Sequence, residues 1–162
     1  MILFPFGALD LTPGLTRYYD YADFSMTVAA LDVGKTRIGI AVSDPDGTMA
    51  QPIGTIRRKS IEQDIARLST ELRPRQVGRI IVGYPLNMDQ SEGPRSRGMK
   101  IFAHQLETTL QIPVELQDER LTTFEAKERL RGLPMKRASR RNALDAIAAA
   151  IILESWLQAR AA

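Results

Sequence analysis

Two short apolar segments separated by a tight turn constrain the fold of this chain more than any other feature. Residues 27–34 (TVAALDVG) end in glycine, and residues 37–43 (RIGIAVS) follow after two intervening residues. Apolar runs of this length with turn-forming flanks are typical of buried β-strands. The turn-forming residues 44–47 (DPDG) then precede a weaker strand pattern at 50–58. We therefore predict three consecutive antiparallel strands.

The rest of the chain alternates between helical and strand patterns. Ser60 caps a helix that ends before Pro74, and further helices begin at 94 and at Thr122 or Thr123. Strands are predicted at 78–82 and 113–117, and a basic loop at 132–141 leads to a last helix at 143–158. This order predicts an α/β fold with a five-stranded mixed sheet. Three of its strands are antiparallel, two are parallel, and helices cover both faces.

Composition excludes several classes of active site. The chain has no cysteine and one histidine, which excludes disulfides, thiolate zinc sites, iron–sulfur clusters, cysteine nucleophiles and histidine-rich metal sites. Catalysis must therefore rely on carboxylates, hydroxyls, lysine, arginine and hard metal ions. The net charge of +3 favours polyanionic partners, although the excess is modest.

Residues 1–26 differ in composition from the rest. They carry one arginine against three aspartates and six of the ten aromatic residues: Phe4, Phe6, Tyr18, Tyr19, Tyr21 and Phe24. We predict an N-terminal extension that packs on a neighbouring surface or frays, followed by one domain at 27–162. No apolar stretch approaches the roughly 18 residues of a membrane span, and we expect a cytoplasmic protein without membrane partners.

Acidic residues on three separate elements are the candidate catalytic groups. Asp32 ends an apolar strand, where a carboxylate is costly unless a cation or hydrogen-bond donors meet it. Asp118 and Glu119 end the fifth strand, and because successive strand residues face opposite ways, only one of them can point with Asp32. Each position also has a structural explanation as a turn or loop residue.

Asp145 is the third acid, and its role is the most ambiguous. It is predicted in the first turn of the last helix, three residues after a candidate N-cap at Asn142. An acid in that position suits the helix dipole, so a capping role explains it without any ligand. Three acids together instead suggest a Mg²⁺ site, since hard cations take oxygen ligands and one or two such ions can promote phosphodiester cleavage.

Basic residues surround these acids along the sequence. Residues 129–144 carry six basic side chains and no acid before position 145, which would suit a phosphate backbone. The loop at 83–93 leads into a helix start with Arg95 and Arg97, where backbone N–H groups and guanidinium groups could hold a phosphate. A solvated helix start explains the same residues.

Four blocks of the sequence resemble the YqgF family, also called the RuvX or Holliday-junction-resolvase-like family. They are ALDVGKTRIGIAVSD, IIVGYPLNMDQSEGPRS, ELQDERLTTFEA and DAIAAAIILESWL, and they occur in the right order over roughly residues 27–158. The resemblance implies a ribonuclease H-like fold and nuclease activity at the 5′ end of precursor 16S rRNA during ribosome biogenesis. It also implies that Asp32, Glu119 and Asp145 form the catalytic and metal-binding set.

Our leading hypothesis is therefore a nuclease that uses Mg²⁺ or Mn²⁺ on structured RNA, alone or in ribosomal particles. The residues expected to bind the substrate backbone are Lys35, Arg37, Arg95, Arg97, Arg120, Lys136, Arg137, Arg140 and Arg141. Alternatives are a Holliday-junction resolvase acting on branched DNA, a non-catalytic nucleic-acid-binding or ribosome-binding factor, and half of an actin-like ATPase. The sequence leaves open whether the chain is a monomer or a homodimer.

Overall fold

The computed structural model describes residues 26–87, 89–119 and 122–161, with the side chains of Thr122 and Thr123 left aside. All but the last residue of the predicted extension, together with the predicted substrate-binding residue Arg120, lie outside these ranges. None of the helices within the described residues combines the length and the apolar character needed to cross a membrane.

Five strands form one mixed sheet. Their bounds are β1 Thr27–Val33, β2 Arg37–Ser43, β3 Ala50–Arg57, β4 Val77–Tyr84 and β5 Val114–Asp118. Across the sheet they lie in the order β3-β2-β1-β4-β5. The first three strands pair antiparallel, and β4 and β5 pair parallel to β1 and to each other. The predicted fold class and strand arrangement are confirmed.

Four helices cover the two faces of this sheet. They are α1 Ile61–Leu72, α2 Pro94–Leu110, α3 Thr122–Arg129 and α4 Arg137–Ala161. Ala29, Leu31 and Val33 of β1 share a core with α1 and α2, whereas Val28 and Ala30 pack against α4 on the opposite face. Alternate residues of β1 therefore pack into two separate cores, and Asp32 lies on the face that α4 covers. Helix α3 packs on the outer side of α4.

The last helix begins six residues earlier than the sequence predicted. The predicted loop at 132–141 is non-helical only up to Lys136, and α4 starts at Arg137. Arginine and alanine are good helix formers, and residues 137–142 are mostly exposed, so this first part of α4 needs no apolar stripe. Asp145 therefore lies in the third turn of α4, so the predicted capping pair of Asn142 and Asp145 is wrong.

Helix α4 crosses the sheet in very close contact at Gly39. A Cβ at this position would collide with the backbone carbonyl of Asp145, which is rigid helix backbone. Gly39 is also the ladder partner of Asp32 on the neighbouring strand. The missing side chain of one glycine thus lets α4 approach the sheet where Asp32 ends β1.

Gly39→Ala tests this crossing. We expect a loss of about 1–3 kcal/mol or more in the free energy of unfolding, because overpacking a rigid contact forces the backbone to shift. The matched control is Gly98→Ala, at an exposed position of α2 where an added Cβ meets nothing within 4 Å. That variant should gain about 0.5–1 kcal/mol from helix propensity. Urea unfolding measures both, and equal stability of Gly39→Ala and wild type would contradict the close crossing.

Candidate active site

Asp32 lies near the C-terminal end of the central strand β1, on the face of the sheet that α4 covers. Asp32 is the last residue but one of β1, and the residues on either side of it, Leu31 and Val33, are buried on the other face of the sheet. Its carboxyl group is therefore partly enclosed between the sheet and the helix. Burial raises the pKa of Asp32 to about 6, with a further contribution from the negative charge of Asp145.

Glu119 reaches Asp32 from the far side of β4. It follows β5 directly, and its backbone N–H donates to the carbonyl of Tyr84 at 3.3 Å. Its side chain passes over Gly83, where a Cβ would collide with the Glu119 carboxyl group and lie 2.8 Å from Cδ1 of Ile152. Asp118 is exposed, so the structure places Glu119 and not Asp118 against Asp32.

Asp32 and Glu119 form a hydrogen-bonded carboxyl pair. Burial and the adjacent negative charge of Asp32 together raise the pKa of Glu119 to about 7. A hydrogen bond between the two carboxyl groups raises the pKa of Glu119 and lowers that of Asp32, so Glu119 is the member of the pair that holds a proton more readily. The Arg95 guanidinium opposes both shifts by favouring the charged forms.

Asp145 approaches the pair from α4 but is itself held by an arginine. The Nε–H of Arg37, at the start of β2, donates to an Asp145 carboxylate oxygen in a partly exposed ion pair. The predicted substrate-binding residue Arg37 and the predicted ligand Asp145 are thus bound to each other, although 108 positions separate them. The charge of Asp145 still acts on Asp32.

The carboxylate oxygens of Asp32, Glu119 and Asp145 are suitable ligands for a hard cation, but Asp145 would first have to leave its ion pair with Arg37. The raised pKa values of Asp32 and Glu119 arise from burial and from nearby negative charge, and both causes favour a positive ion beside these carboxyl groups. Within the described ranges, however, no three acidic or histidine side chains are already grouped as a metal site. Asp145 would have to turn from Arg37 toward the pair to complete such a site.

The other predicted substrate-binding residues occupy different surroundings. The positive charge of Arg95, in the first turn of α2, lowers the pKa of both Asp32 and Glu119. Arg97 is exposed, and its charge lowers the pKa of Glu92 instead. Lys35 is exposed in the turn between β1 and β2.

A basic cleft lies between α3 and the part of α4 that precedes Asp145. This open cleft of about 350 Å³ is lined by Lys127, Leu130, Arg137, Arg140, Arg141 and Leu144. Arg141 and Arg137 precede Asp145 by one and two helical turns, so the cleft leads toward the acids. Lys136 is exposed at the start of this region. The sequence analysis missed Lys127, which belongs to α3 and meets the arginines only through helix packing.

Arg140 differs from its neighbours in this cleft. Its guanidinium group donates to the backbone carbonyls of Leu130 at 3.2 Å and Leu133 at 2.8 Å. These bonds satisfy carbonyls of the connection between α3 and α4. Arg140 therefore stabilises the wall of the cleft, and its predicted role in binding the substrate backbone stays a prediction.

Proteins of similar sequence are named as nucleases. A protein of Anaeromyxobacter sp. (strain Fw109-5), named "Putative pre-16S rRNA nuclease", is 44% identical over 135 residues, which are 83% of this chain and 98% of the relative. A protein of the same name from Myxococcus xanthus (strain DK1622) is 45% identical over 134 residues, 83% of this chain and 89% of that relative.

Solved structures of resolvases share the fold. T. thermophilus RuvC in complex with a Holliday junction substrate superposes with a TM-score of 0.52 at 19% identity, covering 84% of this chain and 96% of RuvC. The fowlpox virus Holliday junction resolvase gives 0.51 at 16% identity, covering 83% and 99%. These superpositions confirm the predicted ribonuclease H-like fold.

The family resemblance noted in the four sequence blocks is confirmed over the whole described domain. The family model described as "RuvX: Holliday junction resolvase" matches residues 26–159, so it leaves out only the N-terminal extension and the last three residues. The chain belongs to the RuvX family.

Proposed function

We propose that this chain is a metal-dependent nuclease that cleaves the precursor of 16S rRNA with Asp32, Glu119 and Asp145 as its acidic site. The observation that carries the proposal is the juxtaposition of the partly buried Asp32 and Glu119 carboxyl groups at the C-terminal ends of β1 and β5, with Asp145 acting on Asp32 from α4. The names of the relatives support a nuclease and favour this RNA as the substrate.

The three acids would hold Mg²⁺ or Mn²⁺ through their carboxylate oxygens. A divalent cation bound there neutralises charge that develops on a phosphodiester and lowers the pKa of water. Asp32 and Glu119 must be deprotonated to act as ligands, and Asp145 must leave Arg37. The Arg37 guanidinium then becomes available for a substrate phosphate at the site.

The basic cleft would hold the nucleic-acid backbone on its way to the acids. Lys127, Arg137 and Arg141 line it, and Arg141 precedes Asp145 by one turn of α4. Of the four aromatic residues outside the extension, Phe102 and Trp156 are buried. Recognition through shape and phosphate contacts is therefore favoured over stacking of successive bases.

A second candidate is cleavage of branched DNA, because the family description names Holliday junctions. The direct comparison incubates purified protein with a precursor 16S rRNA fragment and with a four-way DNA junction, in Mg²⁺ and in EDTA. We expect Mg²⁺-dependent cleavage of the RNA near the 5′ end of the mature sequence. Cleavage of the junction alone would support the resolvase, and binding of both without cleavage would support a non-catalytic factor.

Asp32→Asn tests the acidic site. We expect at least about a 100-fold loss of cleavage rate, because weaker cation binding removes several kcal/mol of transition-state stabilisation. Asp118→Asn is the matched control, since it removes an exposed acid from the same sheet edge, and its loss should be far smaller. Cleavage and thermal melting are measured on both. A folded Asp32→Asn protein that cleaves like wild type would refute the assignment.

The raised pKa values predict an unusual pH dependence of stability. Between about pH 4 and pH 7 the folded chain binds more protons at Asp32 and Glu119 than the unfolded chain, so the free energy of unfolding falls as pH rises through this window. Glu119→Gln should flatten this fall, whereas Glu128→Gln, which removes an exposed acid of α3, should preserve it. Thermal melts in EDTA across the window measure the effect.

Protons on the carboxyl groups of Asp32 and Glu119 should compete with the cation for the same oxygen atoms. Added Mg²⁺ is expected to raise the melting temperature more at about pH 8 than at about pH 5, because the ion binds the deprotonated carboxylates of the folded state. Equal stabilisation at both pH values would place the ion away from the carboxyl pair.

Charge removal tests the basic cleft. In the double variant Arg137→Gln with Arg141→Gln, binding should weaken for all RNA sequences alike, and the salt dependence should decrease by about two phosphate contacts. Arg140→Gln should mainly lower the melting temperature, since it breaks the two bonds to backbone carbonyls. Arg73→Gln with Arg75→Gln, which removes the same charge from the turn after α1, is the matched control. An unchanged salt slope in the cleft variant would exclude a backbone contact there.

A further inference from the structure

A separate cavity of about 180 Å³ lies at the sheet edge opposite to the acids. It is bounded by the first residues of β1, the turn after β2 and the end of α4, and its lining includes Met26, Val28, Pro45, Trp156, Leu157 and Arg160. Most of this lining is apolar. Met26 is 47% exposed although it is a large hydrophobic residue, so an apolar surface stays open to solvent here.

Trp156 forms a fixed wall of this cavity. Its indole N–H donates to a Glu115 carboxylate oxygen at 2.9 Å. The Arg160 guanidinium carbon lies 4.2 Å from the centroid of the ring, on the exposed end of α4. The cavity thus combines a rigid aromatic wall with a cation at its rim, which is a surface suited to aromatic side chains.

We propose that the aromatic part of the N-terminal extension, residues 18–24, folds back into this cavity. The chain enters the domain at Met26, which is itself part of the cavity wall. Phe24 and Tyr21 stand two and five residues before it, which allows reaches of about 7 Å and 18 Å. Residues 18–24 carry four aromatic side chains, a density found nowhere else in this sequence.

The sequence favours residues 18–24 of the same chain as the group that fills this cavity. The family match begins at residue 26, so residues 1–25 lie outside the part of the chain that the family model covers. Burial of one aromatic side chain removes about 150–250 Å² of surface from water. Docking at this edge covers Met26 and Trp156 and leaves the acids at the opposite edge open to substrate.

Disulfide trapping in the full-length chain tests the proposal, because the chain has no cysteine of its own. The variant Phe24→Cys with Asp46→Cys places one thiol in the segment and one on the exposed rim. The matched control is Phe24→Cys with Gln63→Cys, whose second site is exposed at the start of α1 on the other face of the sheet. We expect a severalfold higher yield of intramolecular disulfide for the Asp46→Cys pair under mild oxidation.

Fluorescence gives a second readout, because Trp156 is the one tryptophan of the sequence. Tyr21→Ser with Phe24→Ser should shift its emission to longer wavelength and increase quenching by acrylamide. Phe4→Ser with Phe6→Ser should leave both unchanged. Equal disulfide yields for the two cysteine pairs, or unchanged emission in the Tyr21 and Phe24 variant, would overturn the proposal. Disulfides formed only between chains would also overturn it, in favour of a second copy as the occupant.

Discussion

The close crossing of α4 over the sheet at Gly39 is the contact on which the candidate site depends. The strand pairing sets Gly39 beside Asp32, and the absence of a side chain at Gly39 lets the backbone of Asp145 rest against β2. The same approach packs Ala149 and Ala150 against Ala30 and Ala41 in the core on that face. Small residues on both surfaces therefore determine how near the third acid comes to the other two.

This proximity has an electrostatic cost that the surrounding residues only partly offset. Partial burial raises the pKa values of Asp32 and Glu119, and the negative charges of Asp145 and of Asp32, respectively, add to these shifts. Arg95 opposes these shifts, and Arg37 neutralises Asp145. Repulsion among carboxylates favours a bound cation, because the ion offsets the repulsion and this gain adds to the affinity for the ion. The same groups that lower the stability of the folded chain thus prepare the proposed site.

The sequence predicted the sheet well because β1, β2 and β4 carry continuous apolar runs and turn residues separate the elements. It was less informative where tertiary contacts decide the outcome. The early start of α4 at Arg137 carries no apolar stripe, although the good helix propensity of its arginines and alanines could have indicated it. Gly39 within a strand pattern is a known sign of close backbone approach, but no local pattern reveals that the approaching backbone belongs to Asp145. Likewise the pairing of Arg37 with Asp145 joins residues far apart in sequence.

The proposed site requires Asp32, Glu119 and Asp145 to share one divalent cation. Anomalous diffraction data from a crystal soaked in Mn²⁺ would locate such an ion. We expect an anomalous peak among the three carboxylates, with Asp145 turned toward the pair and Arg37 released from it. An anomalous peak elsewhere, or an intact ion pair of Arg37 and Asp145 with no peak beside Asp32 and Glu119, would contradict a shared site.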